Sequence, residues 1–469
     1  MTKENTIKSI HESLEKGEFS AEEIFKHYHD KINKKNKELN AYLSVFKDPQ
    51  IEGSRPSVLS GIPSAIKDNI LIEGEKCTAA SKILENYTAT YDAGVISKLK
   101  KSGVQFLGKT NMDDSAMGAS GESSAFGPTK NPHDLSRVPG GSSSGSAAAV
   151  AADLAVFALG SDTGGSIRCP ASFCGIVGLN PTYGRVSRHG LIAMASSLDQ
   201  IGPLTKNVED AALILNAISG HDEMDATSAK KEVPDFTKNL DKPLKGLRAA
   251  VPKEFMGEGL EENVKQLVLK TIAKLESLGV HVDQVSMPHL KYSIAVYYII
   301  VPSEVSANLA RLDGIRYGLS EKADNLFDVY AKSKEKGFGP EIKRRIMLGT
   351  YALSSGYYDA YYKKAQKVRT VIRHDFDKVF EDFDIIVGPT MPTPAFKLGE
   401  KSEDPLSMYL ADIFTCPSKL AGLPAISVPC GITNKLPVGF QIIGRHFDEY
   451  TLLRVGHQLE KEGIKNQTV

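Results

Sequence analysis

Two Gly/Ser-rich turns carry residues that could do chemistry: PGGSSSGSAAAVAA at 139–152 and GSDTGGSIRCPAS at 160–172. Upstream, GIPSAIKDN (61–69) places Lys67 where an apolar segment meets a polar turn. Cleaving an amide needs a serine hydroxyl that can give its proton to a nearby base, and fixed donors for the oxyanion. A lysine can be that base once burial and its neighbours lower its pKa towards neutrality. Glycines beside the serine let backbone N–H groups reach the oxyanion with no Cβ in the way. Gly164-Gly165-Ser166 meets that requirement, with Ser166 on the turn after the apolar run LAVFALG (154–160). The serines of 139–152 lie at the mouth of a helix built from alanines.

His133 and His189 stand in the flanks of these clusters. A Ser–Lys system is the more economical reading, and the spacing also admits Ser–His–Asp. Taken singly, each piece has a plainer meaning. A Gly/Ser run is the composition of a flexible linker, and a lysine after a strand is ordinarily solvated.

Three short patterns point elsewhere without the context their chemistry needs. GVQFLGKT (103–110) matches the phosphate-loop pattern, but Val104, Gln105, Phe106 and Leu107 read as a strand after the helical VISKLKKSG. GSSSG (141–145) matches a nucleophile elbow centred on Ser143, yet the preceding HDLSRVPG is polar and broken by proline. SAIK (64–67) matches the S-x-x-K of penicillin-binding enzymes without its companion motifs.

The elements that must position these residues follow from periodicity. Ile7, Ile10 and Leu14 fall at helical spacing; Ser20 and Glu23 have the spacing of a capping box, with Phe19 and Ile24 as its staple. AYLSVF (41–46) alternates like a strand, and LAVFALG reads as a buried one. VEDAALILNAISG (208–220) and VKQLVLKTIAKLESLG (264–279) read as helices, the second leading into the alternating HVDQVSM. FDIIVGPTMPTP (383–394) reads as a strand entering a proline-rich loop. AISVPCG (425–431) and PVGFQIIG (437–444) read as neighbouring strands, followed by a last helix from Asp448. Interleaved strands and helices without an internal repeat predict an α/β fold: one large domain over 1–469 with a mostly buried, mixed sheet. The polar stretch 221–245 reads as a surface loop.

Lys+Arg and Asp+Glu balance at 57 each in 469 residues, so no nucleic-acid or membrane surface is advertised. If RNA is handled at all, another protein of the same assembly is expected to hold it. The N-terminal MTKENTIKSIHESLEKGEF is polar, which argues against a signal peptide. No apolar run approaches the roughly 18 residues of a membrane span. Five scattered cysteines (Cys77, Cys169, Cys174, Cys416, Cys430) make neither a disulfide framework nor a good zinc site. They are expected to be buried, reduced thiols of a cytoplasmic protein.

The block GGSSSGSAAAVAADLAVFALGSDTGGSIRCPASFCGIVGL closely resembles the signature of the amidase signature family. TNMDDSAMGASGESSAFGPTKNPHD (110–134), PTYGRVSRHGLIAMASSLDQIGPLTKNVEDAA (181–212), KRRIMLGTYALSSGYYDAYYKKAQKVR (343–369) and LAGLPAISVPCG (420–431) are similar to the glutaminase subunits of aspartyl/glutamyl-tRNA amidotransferases within it. The resemblance implies a single amidase-signature domain, with a central twisted mixed sheet covered by helices on both faces. A helical N-terminal part would occupy about 1–60 and the catalytic core about 61–220. It implies a triad in which Lys67 is the base, Ser142 the bridging serine after a cis Gly141–Ser142 peptide, and Ser166 the nucleophile. Backbone N–H groups of Thr163, Gly164, Gly165 and Ser166 would form the oxyanion hole. Arg345 would take the carboxylate of glutamine, Asp412 its ammonium group, and Tyr297, with Tyr298 as the alternative register, a third contact. No metal or cofactor is implied in this chain. ATP and Mg²⁺ belong to a partner, the B subunit, which also receives the mischarged tRNA, and a small C subunit would brace the pair in a heterotrimer. Ser115, Asn180 and Met194 depart from the family's usual phenylalanine, lysine and phenylalanine. The resemblance leaves open a stand-alone amidase acting on other amides, and whether aspartyl-tRNA(Asn) is an acceptor beside glutamyl-tRNA(Gln).

Overall fold

The structure, a computed structural model, describes residues 5–48, 57–402 and 404–464. The outer limits of the 1–469 reading, and residues 49–56 inside its helical N-terminal part, lie outside the described residues. Helices Ile7–Glu15 and Ala21–Leu39 open the chain. The second starts on the expected capping box: Glu23 N–H donates to Ser20 Oγ at 3.1 Å, and Ser20 N–H to the Glu23 carboxylate at 2.7 Å.

Among the described residues, eleven strands form one sheet. In chain order they are β1 (Tyr42–Val45), β2 (Pro63–Lys67), β3 (Gln105–Thr110), β4 (Phe157–Asp162), β5 (Val177–Asn180), β6 (Gln200–Thr205), β7 (Arg248–Pro252), β8 (His281–Val285), β9 (Ile385–Pro389), β10 (Ala425–Thr433) and β11 (Leu436–Gly444). Their order across the sheet is β1-β3-β2-β4-β6-β5-β10-β11-β9-β7-β8. The sheet is mixed: β2 runs parallel to β3 and β4, and β7 parallel to β8 and β9, while the other pairings are antiparallel.

The period-two alternation of strand side chains divides the core. Val251, Ile385, Val387, Ile426, Val428 and Ile442 pack with the helices Val208–Ile218, Glu262–Ser277 and Glu449–Lys461. The intervening Ala250, Ile386, Ala425 and Ile443 pack with the helices Ser293–Leu309, Pro340–Leu353 and Lys364–Asp382. Helices therefore cover both faces. Residues 221–245 form no helix or strand, and Phe236 anchors that loop to the core. Among the described residues no helix is long and apolar enough to cross a membrane. All five cysteines are buried and unpaired with one another.

The apolar run 154–160 is not itself the strand. Leu154 N–H closes the preceding helix on Ala149 O at 2.7 Å, and β4 begins only at Phe157 and carries on through the polar Ser161 and Asp162. Hydrophobicity marks where a strand is buried, not where a buried polar network ends it. That network is Asp162 and Arg168, both fully buried. The guanidinium donates through Nε and Nη2 to the two carboxylate oxygens at 3.1 and 3.2 Å, and through Nη1 to Ser418 Oγ and Gln441 Oε1. It thus ties β4, the helix Arg168–Cys174 and β11 into one block beneath Ser166. Removing one partner of a buried pair strands the other charge. Arg168→Met is expected to lower the unfolding free energy by about 3–5 kcal/mol, read from thermal or urea melts. The double variant with Asp162→Asn should lose less than the single one.

Candidate active site

Lys67 ends β2, between β3 and β4, and is fully buried. Its Nζ lies 2.7 Å from Ser142 Oγ, 2.9 Å from Ser161 Oγ and 3.3 Å from the Ser161 carbonyl. Asn69 Nδ2 donates to the same Ser161 hydroxyl at 2.9 Å. Burial drives the Lys67 pKa down to about 7, against the pull of Asp113, Asp162 and Asp199. A neutral amine has two N–H donors and one lone pair. With the Ser161 carbonyl and hydroxyl taking the donors, the lone pair faces Ser142.

The Gly141–Ser142 peptide is cis. Asp113 N–H donates to Ser142 O at 3.2 Å, and Ser143 N–H to Ser166 O at 3.1 Å, which lays the serine run against the turn that carries Ser166. Ser142 is fully buried, while Ser166 keeps 8% of its surface exposed. Among the described residues, the N–H groups of Thr163, Gly164, Gly165 and Ser166 donate to no other group. Neither glycine of this turn has room for a side chain. A Cβ on Gly164 would lie 2.5 Å from Tyr297 Oη, and one on Gly165 would collide with Thr415. Thr163 Oγ1 donates to Asp199 at 2.6 Å, which fixes the first residue of the turn.

The competing readings find no support in the geometry. His133 Nε2 bonds the Cys174 carbonyl, and His189 stacks on Tyr91, so neither serves as base to a serine. Residues 105–110 are strand β3. Ser143 stands at the start of a helix and donates to Ser161 O, and Ser64 donates to Gln105 O, away from Lys67.

A second group of charges lies across the Gly-rich turn. Arg345, 4% exposed, comes from the helix Pro340–Leu353, and Asp412 from the segment after the helix Pro405–Leu410. Burial raises the Asp412 pKa to about 7, although Arg345 pulls the other way. Tyr297 and Tyr298, neighbours on the helix Ser293–Leu309, face different groups. Tyr297 presses its phenol on Gly164, while Tyr298 turns to Asp412, with Oη 3.4 Å from Oδ2. Among the described residues no cluster of His, Cys, Asp or Glu side chains is placed to hold a metal ion.

Residues 23–453 match the amidase family model. The chain belongs to the amidase family. It is 56% identical to the A subunit of glutamyl-tRNA(Gln) amidotransferase from Caldanaerobacter subterraneus subsp. tengcongensis, over 97% of this chain and 96% of that protein. The A subunit from Thermoanaerobacter pseudethanolicus matches at the same identity and coverage. Among solved structures, the A subunit of glutamyl-tRNA(Gln) amidotransferase from Thermotoga maritima superimposes with a TM-score of 0.85 at 46% identity, covering 98% of this chain and 96% of that one. The peptide amidase PAM bound to chymostatin has a TM-score of 0.85 at 27% identity, with 99% of both chains covered.

At the three positions that the resemblance singled out, Asn180, Met194 and Ser115, the structure supplies local partners. Asn180 Oδ1 accepts from the buried Lys419 Nζ at 2.8 Å, from the facing helix Cys416–Ala421. Met194 is buried, and its backbone N–H bonds Asp199 at 2.9 Å. Ser115, at φ +53°, places its hydroxyl 2.9 Å from Asp114 Oδ1. Sequence reading missed Ser161, Asn69, Glu341 and Tyr409. Asn69 was within sight, two residues beyond Lys67 in the same motif; nothing in one sequence marks the others. Gly164→Ala is expected to push Tyr297 and the turn apart and to cut kcat by about 100-fold, the worth of one misaligned oxyanion donor. Steady-state kinetics with circular dichroism as the folding control checks this.

Proposed function

We propose that this chain is the glutaminase subunit of a tRNA-dependent amidotransferase. The observation that carries the chemistry is the buried Lys67 amine, poised near neutrality and 2.7 Å from Ser142 Oγ. Ser166 Oγ attacks the side-chain amide carbon of glutamine. Its proton passes to Ser142, which hands its own to Lys67. The oxyanion rests on the N–H groups of residues 163–166. Lys67 returns the proton through Ser142 to the leaving nitrogen, so ammonia departs and leaves a glutamyl ester on Ser166. Water then cleaves the ester to glutamate and restores the serine.

Arg345 and Asp412 support glutamine as the substrate. A planar guanidinium suits the α-carboxylate, and a buried acid suits the α-ammonium. An enzyme for simple apolar amides has no use for both. The fold alone does not discriminate, since the Thermotoga amidotransferase structure and the peptide amidase superimpose equally well. Close identity to amidotransferase A subunits along nearly the whole chain favours the amidotransferase. In that reading the ammonia passes to a cytoplasmic partner, the B subunit. There ATP and Mg²⁺ activate the glutamyl group of mischarged tRNA(Gln), or the aspartyl group of tRNA(Asn), and the small C subunit braces the heterotrimer.

Ammonia release measured over a panel of amides, with Ser166→Ala as control, tests the substrate. Ser166-dependent preference for L-glutamine is expected; turnover of apolar amides with glutamine ignored would point to a stand-alone amidase. The pH profile tests the site. Lys67 must be neutral and Asp412 ionised, and each condition is met above about pH 7. Log kcat/KM for glutamine should therefore fall below pH 7 with a slope approaching two. For an amide without an ammonium group, the slope should approach one.

A further inference from the structure

Arg345 is held in place by a residue one turn earlier on its own helix. Glu341 Oε1 accepts from Arg345 Nε at 2.8 Å, and the other carboxylate oxygen pairs with Arg344. The same Oε1 accepts from the phenol of Tyr409 at 2.9 Å. Tyr409 comes from a different part of the fold, the short helix Pro405–Leu410. Its ring stacks on Tyr298 with centroids 3.8 Å apart, and Tyr298 contacts Asp412, three residues beyond Tyr409.

One carboxylate oxygen therefore joins the arginine to the segment that bears the acid. With Nε taken by Glu341, the guanidinium plane is set and its Nη1/Nη2 edge is left for a carboxylate fork. The cation also lies against the rings of Tyr298 and Tyr409, with Cζ 5.3 and 5.7 Å from their centroids. An α-amino acid presents its carboxylate and ammonium at a fixed separation, so a site that reads both must hold its own two groups at a matching distance. Neither Arg345 nor Asp412 can do this alone, because they stand on elements far apart in the chain.

We propose that Glu341 is a positioning residue, which through Arg345 and Tyr409 sets the distance between the groups that take the carboxylate and the ammonium of the substrate. This deepens the glutaminase reading and rests on it for the substrate's identity; the tie from Glu341 to residues 404–412 is independent of it.

Two readouts on the assembled enzyme test the proposal with Glu341→Ala, Tyr409→Phe and Glu341→Gln. Hydrogen exchange over 404–412 should rise about tenfold in the first two, as a lost tertiary tie lowers the local opening free energy. In the same two variants, KM for L-glutamine should rise at least about tenfold, with kcat for a short amide lacking the α-carboxylate little changed, as misplacing a binding group predicts. Glu341→Gln keeps an acceptor oxygen at the same reach and should restore most of both, which separates positioning from a folding defect. Unchanged exchange at 404–412 in both the Ala and Phe variants overturns the proposal. So does an equal loss of kcat on glutamine and the short amide at unchanged KM. Should the wild type ignore glutamine altogether, the glutaminase reading fails, and the exchange measurement alone decides the tie.

Discussion

Burying the amine of Lys67 is the constraint on which the site depends. An ammonium taken from water into a protein interior is costly, and the cost is relieved by shedding the proton. Three buried acids nearby, Asp113, Asp162 and Asp199, pull the other way. Each is occupied elsewhere. Asp113 accepts from the N–H groups of Gly121 and Ser123, Asp162 is forked by Arg168, and Asp199 takes Thr163 and the N–H groups of Met194 and Ala195. The amine itself bonds to Ser142 and Ser161. Desolvation outweighs the distant carboxylates, and the pKa of the amine falls to about 7.

The acids do structural work in the same stroke. Asp113 lies beneath Gly141, where a Cβ would run into its carboxylate, so the serine run can approach only as glycine. Asp199 holds the start of the Gly-rich turn, and Asp162 with Arg168 holds its end. Burial pushes the Asp199 pKa up. Asp162 is pushed up by burial too, but Arg168 and Lys419 outweigh that and keep it below the usual carboxylate range. Both flanks of the turn are thus tied to buried carboxyl groups.

The far wall of the site uses different physics. There the helices Ser293–Leu309 and Pro340–Leu353 present aromatic faces and charges to the Gly-rich turn, and Tyr297 closes on Gly164. Asp412 is destabilised as an anion by burial, and an incoming ammonium would relieve this. Arg345 needs no such help: Tyr298, Tyr409 and Glu341 surround it. Lys67 and the Gly-rich turn thus sit at the ends of the adjacent strands β2 and β4, and Arg345 and Tyr298 on helices packed against one face.

Much of this was legible in the residues alone. The alternation of 425–431 and 437–444 gave neighbouring strands, the Ser20/Glu23 spacing gave a helix start, and the glycines of 164–165 announced a close backbone approach. Each is a local rule, satisfied within a few residues. The strand reading of 104–107 and the rejection of the phosphate loop were local in the same way. What tertiary structure alone decided is which groups meet. Ser161 reaches Lys67 from another strand, Tyr297 and Tyr298 point to different targets from one helix, and Glu341 meets Tyr409 from 68 residues away. The pKa of Lys67 belongs to the same class. A sequence shows that a lysine is present; only the packed interior withdraws the water that would keep it charged.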